Sequence, residues 1–220
     1  MTTFRKFWQN RPRMDYVEWV NDFTKTGDYL ATDWTITALQ GTNTIAINAA
    51  LQNGVLELAT GATDNDGSGY QQKIEAFWPV IGKAMEFETR FKIADVTECD
   101  LIIGLQITDT TPLAVASGIY FAKDDGDALL DFHSVKGSVD GSIAGVATLV
   151  NDTWIKAGFY YDGGTTIDVY INDVRVGALL AATYLPTGAA EQLCISLAFV
   201  SGSTGAKTLS IDYIRVCQER

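Results

Sequence analysis

Hydrophobic and polar residues alternate with a period of two along much of the chain. In residues 85–93, apolar side chains and Thr89 alternate with four charged side chains. Successive side chains of a strand point to opposite faces, so this pattern predicts a strand with its charges in water. Leu101, Ile103 and Leu105 repeat the alternation opposite a less polar set, which predicts a strand covered on both faces.

Turn-forming residues separate the alternating segments. Asp162, Gly163 and Gly164 end the segment 155–161, and glycine reaches positive φ without steric cost. Further strands are predicted at 34–39, 44–48, 54–59, 70–78, 118–123, 128–134, 143–150, 167–171, 192–200 and 207–217. So many short strands, joined by Gly, Asp and Asn turns, predict an all-β fold: a two-sheet antiparallel jelly-roll sandwich.

Helical periodicity is confined to the N-terminal part of the chain. Met14, Val17 and Phe23 share a helical face, so a short helix is predicted near residues 14–23. We expect residues 1–23 to form an extended or short-helical N-terminal arm and residues 24–220 to form the jelly-roll domain. A length of 220 residues suits one large β-sandwich.

The net charge of −11 is unevenly distributed. Residues 1–13 hold four basic residues and no acidic one, whereas the rest of the chain holds 12 basic and 27 acidic residues. An acidic body repels phosphate, which excludes nucleic acid and anionic membranes as partners. No apolar run approaches the roughly 18 residues of a membrane span, and the N-terminus lacks the apolar region of a secretory signal. We therefore expect synthesis in the cytoplasm.

The three cysteines, Cys99, Cys194 and Cys217, lie far apart in the sequence. An odd number of widely spaced cysteines fits neither a disulfide framework nor a CxxC metal site. We expect buried free thiols and a reducing compartment, because free cysteine is among the most buried residue types.

Four segments carry a family resemblance. Residues 154–156 read Trp-Ile-Lys, 161–163 Tyr-Asp-Gly, 169–172 Val-Tyr-Ile-Asn, and 209–216 Leu-Ser-Ile-Asp-Tyr-Ile-Arg-Val. Over residues 30–217 the chain resembles the concanavalin A-like lectin/glucanase and laminin-G-like jelly rolls. The resemblance implies the fold and leaves the function open, because lectins, glycosidases, receptor modules and virion proteins share it.

A narrower resemblance is to lectin-like structural proteins of tailed-phage heads. The segments that carry it are 60–67, 82–83 with 87–88, 104–105 with 108–110, 118–121 and 124–128. This resemblance implies a decoration or cement protein on the capsid surface of a virion, made in the host cytoplasm. Its partners would be other capsid subunits and copies of itself.

Acidic residues on one strand face are the first candidate for chemistry. Glycosidases of this fold need a nucleophile and an acid about 5 Å apart across the sugar bond. Glu86 and Glu88 share a face, but Arg90 stands where a third acid would follow. The alternative is a solvated face with cross-strand ion pairs. Because the acid pattern is incomplete, we expect no enzyme activity, no catalytic residue and no cofactor.

A calcium-binding loop is the second candidate. Asp64, Asp66, Ser68 and Glu75 supply oxygens at positions 1, 3, 5 and 12 of an EF-hand loop, with a glycine at position 6. The flanking segments are predicted strands, however, and an EF-hand has helices there. Two alternatives therefore stay open. One is an acidic glycine-rich turn with Glu75 on the next strand, and the other is a different calcium loop built on Asp64 and Asp66.

The N-terminal arm is a candidate partner-binding segment, because aromatic and basic side chains interleave in it. These residues are Phe4, Arg5, Phe7, Trp8, Arg11 and Arg13. Aromatic anchors give contact area and arginines pair with acids, so the arm suits a neighbouring subunit and a homo-oligomer. The alternative is an arm folded back on its own sandwich.

Aromatic side chains of the body could instead stack on sugars, with core packing as the alternative for most of them. The candidates are Trp34, Tyr70, Trp78, Tyr160, Tyr170 and Tyr184. The sequence therefore leads to two hypotheses. The first is a structural virion protein that decorates or cements a phage capsid. The second is a non-catalytic, lectin-like carbohydrate-binding module, with calcium as a conceivable aid to glycan binding.

Overall fold

Two antiparallel β-sheets, packed face to face, make up most of the structure. The computed structural model describes residues 15–24, 32–48, 50–51 and 54–220. In chain order the elements are β1 (Tyr16–Asn21), β2 (Trp34–Gln40), β3 (Thr44–Ile47), β4 (Leu56–Ala59), β5 (Gly67–Gln72), β6 (Met85–Ile93), β7 (Cys99–Gln106), β8 (Gly118–Lys123), β9 (Leu129–Lys136), β10 (Val139–Thr148), β11 (Ile155–Tyr161), β12 (Thr166–Ile171), β13 (Val174–Leu180), α1 (Ala181–Tyr184), β14 (Cys194–Ser201) and β15 (Thr208–Glu219). The predicted all-β jelly-roll sandwich is confirmed.

The strand order differs between the two layers. Sheet A runs β13-β12-β11-β6-β15-β4-β3, and β1 also pairs with β15. Sheet B runs β10-β9-β8-β7-β14-β5-β2. An aromatic seam joins the layers: Phe132 of sheet B lies 5.8 Å from Phe159 of sheet A, and Phe159 stacks on Phe87 at 5.5 Å between ring centroids. Face-to-face packing of inner side chains of this kind forms the core of a sandwich.

The central strands of sheet B are buried on both faces. Every residue of β7 from Leu101 to Gln106 is buried, and so is every residue of β14. The prediction that the strand near 101–108 is covered on both faces is therefore confirmed. Inner-face side chains such as Leu197 reach the core, whereas Val115, from the segment 107–117, packs on an outer-face cluster that includes Ile102 and Ala198.

Residues 16–21 form a strand, so the predicted helix near residues 14–23 is wrong for this part of the segment. They pair antiparallel with β15, from Tyr16 opposite Glu219 to Asn21 opposite Ile214. Valine, tyrosine and tryptophan favour strands. In addition, β4 covers only residues 208–211 on this edge of β15, so β1 satisfies backbone groups that would otherwise lack a sheet partner.

Two other strands differ from their predicted positions. A strand is predicted at 70–78, but the observed strand β5 ends at Gln72. Residues 73–76 then leave the sheet and lead to a β-bridge between Phe77 and Leu193. β10 begins at Val139 and contains a bulge between Ile143 and Ala147, which interrupts the alternation that the sequence prediction relied on.

The N-terminal arm falls mostly outside the described residues. Phe4, Arg5, Phe7, Trp8, Arg11 and Arg13 all lie there, so the binding role of these residues and the division at residue 23 stay predictions. Within the described ranges, no helix is long and apolar enough to cross a membrane.

Candidate functional site

A cleft of about 590 Å³ lies between β1 of sheet A and β2, the edge strand of sheet B. Its described lining comes from β1, the turn at 22–24, residues 33–34 and the segment 72–77. Clefts of this size hold a small ligand or a short stretch of a polymer. We call it the β1–β2 cleft.

Two tryptophans form the apolar part of the cleft. Trp19 of β1 and Trp34 of β2 meet edge to face, with ring centroids 6.4 Å apart. Trp34 belongs to the core and is only 5% exposed, whereas Trp19 is partly exposed and packs against the core cluster. Trp34 therefore supports Trp19 from behind, and Trp19 offers an aromatic surface to a ligand.

An exposed aliphatic side chain extends this apolar surface. Ile74 lines the cleft and is 73% exposed. Exposed apolar side chains gathered at one cavity mark an interaction site more often than scattered ones do. A ligand with an apolar face would remove the Ile74 side chain from water.

Polar side chains complete the rim of the cleft. Asn21, Asp22, Asp33 and Gln72 line it beside the tryptophans. The Asn21 side chain also accepts a hydrogen bond from the backbone N–H of Phe23 at 2.8 Å, which fixes the turn after β1. Carboxylate and amide oxygens accept hydrogen bonds from hydroxyl groups. The cleft thus combines apolar surface with several acceptors, which suits a polyhydroxylated ligand.

Glycine is required where the chain passes this turn. Phe23 is fully buried with a φ of 52°, and a Cβ on Gly54 would overlap its carbonyl group. Gly54 itself has a φ of 73°, a conformation that only glycine adopts without strain. Gly54 therefore helps to position Asn21 and Asp22 at the rim.

The acid pair Glu86 and Glu88 lies elsewhere, on the outer face of sheet A. The two residues share this face as expected, but they are 1% and 2% exposed, so the prediction of a solvated face is wrong for them. The expected cross-strand ion pair does form, between Glu86 and Arg215. Arg215 donates to Glu86 at 2.9 Å and the Tyr213 hydroxyl donates to Glu88 at 2.6 Å. The small cavity beside Glu88 is too narrow for a water molecule. A sugar cannot reach this pair in the folded protein.

The EF-hand-like loop does not form. β5 occupies Gly67–Gln72, so about 20 Å of strand separates Asp66 from Glu75. Glu75 instead accepts hydrogen bonds from Thr108, from the backbone N–H at 2.6 Å and from the hydroxyl at 2.8 Å. Ser68 accepts one from the Asn43 side chain at 2.9 Å. A strand therefore extends where the twelve-residue calcium loop would have to turn.

Asp66 is buried and makes a structural contact within its own turn. It is 5% exposed, and its carboxylate accepts a hydrogen bond from the Thr63 N–H at 2.9 Å. A Cβ at Gly41 or Gly61 would overlap that carboxylate. In the described part of the chain, no three or more His, Cys, Asp or Glu side chains are grouped so as to hold a metal ion. Neither Asp64 nor Asp66 therefore belongs to such a group.

The segment 107–117 packs on part of the outer face of sheet B. The Asp109 N–H donates to the Gln71 side chain at 2.9 Å, and a Cβ on Gly69 would overlap Pro112. Val115 packs against the apolar cluster on this face. The chain itself therefore occupies this part of the outer face.

The aromatic residues proposed from the sequence separate into two groups. Trp34, Tyr70 and Tyr170 are buried, whereas Trp78, Tyr160 and Tyr184 are partly exposed. Trp34 lines the cleft but contributes mainly to the core. Trp19 was missed because its segment was assigned to a helix. The strand-favouring composition of residues 16–21 was the signal that could have identified it.

Solved structures share this fold at low sequence identity. An endo-1,3-beta-glucanase from Streptomyces sioyaensis aligns with a TM-score of 0.68 and 10% identity, covering 95% of this chain and 98% of the glucanase chain. The Emp46p carbohydrate recognition domain aligns with a TM-score of 0.59 and 11% identity, covering 89% of this chain and 94% of that one. At such identities the likeness shows the concanavalin A-like fold alone.

A third solved structure also shares the fold. The protein SO2946 from Shewanella oneidensis MR-1, described as of unknown function, aligns with a TM-score of 0.62 and 15% identity, covering 93% of this chain and 87% of its own. A search of curated proteins finds no match. The family model of the SO2946-like C-terminal domain matches residues 52–212, more than half of the chain. The chain therefore belongs to the SO2946-like C-terminal domain family.

Proposed function

We propose that this chain is a non-catalytic carbohydrate-binding module that holds a short stretch of glycan in the β1–β2 cleft. The observation that carries the proposal is the partly exposed Trp19 beside Asp22 and Gln72 in an open cavity. Sugars present apolar C–H faces and hydroxyl donors, which match an aromatic ring and acceptor oxygens respectively. The fold it shares with a glucanase and a carbohydrate recognition domain supports this class of ligand over a capsid role.

Glycan binding and one substitution test the proposal. The purified chain is screened on a glycan array, and the best ligand is titrated by calorimetry. Trp19→Ala is expected to weaken binding at least tenfold, about 1.4 kcal/mol, whereas Trp19→Phe retains most of it. The matched control is Trp154→Ala, because Trp154 is also partly exposed but packs beside Arg90 and Lys92 on the outer face of sheet A. Unchanged binding by Trp19→Ala would exclude the β1–β2 cleft as the binding site. An array on which no glycan binds would exclude the proposed carbohydrate-binding function.

The non-catalytic part of the proposal rests on the burial of the acids. Glu86 and Glu88 are the acid pair that the sequence suggested, and both are closed off by Arg215 and Tyr213. We expect no new reducing ends or unsaturated products when the chain is incubated with glucans or glucuronans. Turnover that disappears in Glu88→Gln would overturn this part of the proposal.

Assembly through the N-terminal arm stays a separate prediction. A truncation should remove residues 1–14 only, because removal up to residue 23 would also delete β1 and Trp19. Light scattering of both proteins tests it. A full-length oligomer and a truncated monomer would support an assembly role, and two monomers would exclude self-assembly through the arm.

A further inference from the structure

The two charged side chains in the described lining of the β1–β2 cleft, Asp22 and Asp33, are both acidic. Lys73 lies between the lining residues Gln72 and Ile74 in the sequence but is not part of the described lining. Ionised carboxylates accept hydrogen bonds but cannot donate them. The described lining therefore offers acceptors to hydroxyl groups and places two negative charges near an acidic sugar.

The cation beside β1 is already engaged. Arg215 lies directly across the strand pair from Val20. It donates to Glu18 and to Glu86, in each case at 2.9 Å. Turning this guanidinium toward a ligand carboxylate would separate it from the carboxylate of Glu86, which is 1% exposed, and breaking a buried ion pair is costly. Arg215 is therefore held by the protein and does not serve as a receptor for anionic groups.

Resting on the carbohydrate-binding function proposed above, we infer that the β1–β2 cleft selects uncharged glycans and rejects uronates and sulfated sugars. An anionic group near Asp22 or Asp33 meets a like charge, and discrimination by such repulsion is a common source of specificity. The negative charge of the whole chain, −11, adds a longer-range repulsion that salt screens. Trp19 and Ile74 supply the attraction, since their apolar contacts do not depend on ligand charge.

The test compares two oligosaccharides that differ only in charge. A neutral gluco-oligosaccharide and the glucuronate oligosaccharide of the same linkage and length are titrated by calorimetry at low and at physiological salt. We expect the uronate to bind at least about tenfold more weakly at low salt, with a smaller gap at physiological salt. The double variant Asp22→Asn with Asp33→Asn is expected to close most of the gap.

A charge-matched control separates local from overall charge. The double variant Asp124→Asn with Asp127→Asn changes the net charge by the same amount, but in an exposed turn outside the described cleft lining. The affinity difference between the two oligosaccharides should therefore stay close to that of the original chain. The selectivity for uncharged glycans is overturned if the uronate binds as tightly as the neutral oligosaccharide or more tightly. It is also overturned if the affinity difference is unchanged in the Asp22 and Asp33 variant. Either result leaves the proposed binding function intact. If neither oligosaccharide nor any other glycan binds, the binding function fails and the selectivity fails with it.

Discussion

Trp19 and Trp34 meet edge to face across the two layers of the sandwich, with ring centroids 6.4 Å apart. Trp19 belongs to a strand of sheet A and Trp34 begins the edge strand of sheet B. Because one ring is buried and the other is partly exposed, a single contact serves two purposes. Trp34 packs in the core between the layers, and Trp19 keeps part of its ring exposed for the proposed ligand.

Truncating these two tryptophans should therefore separate stability from binding. Trp34→Ala removes a ring that is 5% exposed and is expected to lower the free energy of unfolding by about 3–5 kcal/mol. Trp19→Ala is expected to cost about 1 kcal/mol while abolishing most glycan binding. Urea unfolding followed by circular dichroism measures both. Equal losses of stability would contradict the division of roles.

The turn that positions Asn21 and Asp22 should depend on Gly54. Gly54→Ala adds a Cβ that overlaps the Phe23 carbonyl at a φ of 73°, so we expect a loss of more than about 2 kcal/mol. Gly82→Ala is the matched control, because Gly82 has a φ of 83° but open space around its Cβ position. It should lose only about 1 kcal/mol, the cost of backbone strain alone. Thermal unfolding measures the stability of both variants. Equal losses of stability would mean that the chain moves to avoid the overlap with Phe23 without being destabilised.

Alternation along the chain was sufficient to predict the core but not what covers the outer faces. It placed Phe87 and Phe91 in the core correctly. It placed Glu86 in water wrongly, because the partner that buries it, Arg215, lies 129 residues away in the sequence. A pairing over that distance leaves no local pattern in either strand.

The candidate sites show the same limit. The spacing of Asp64, Asp66 and Glu75 fits a metal loop only if the chain turns between them, and strand pairing extends it instead. The cleft depends on Trp19 lying beside Trp34, which follows from two strands joining different sheets. Short segments such as 16–21 fit both helical and strand periodicities, so their sequence alone does not decide between the two.

Arg215 should be essential to the outer face of sheet A. Arg215→Ala leaves the Glu86 carboxylate buried without its cation, and we expect a loss of about 3–5 kcal/mol in the free energy of unfolding. Adding Glu86→Gln should restore part of it, because the uncompensated charge disappears. The control is Arg175→Ala, which breaks an ion pair with Asp168. Because the Arg175 side chain is 53% exposed, this change should lower the free energy of unfolding by under about 1 kcal/mol. Similar losses for the two arginines would show that burial does not distinguish these ion pairs.

The cysteines should make the protein less stable at high pH. Burial raises the pKa of Cys99, Cys194 and Cys217 to about 12 each, from an ordinary value of 9.0, and all three are free. Below pH 9 both the folded and the unfolded chain keep these protons. Between about pH 9 and about pH 12 only the unfolded chain loses them, so the stabilisation present below pH 9 is lost as pH rises.

Urea midpoints at several pH values between about 8 and 10.5 measure this loss, with the triple cysteine-to-alanine variant as the reference. The midpoint of the natural sequence should fall more steeply with pH than that of the variant. The native thiols should also resist a thiol reagent at pH 8 and react fully in urea, since the thiolate is the reactive form. Parallel midpoint curves, together with fast labelling of the native protein, would mean that the thiols are accessible and that their burial contributes nothing to stability.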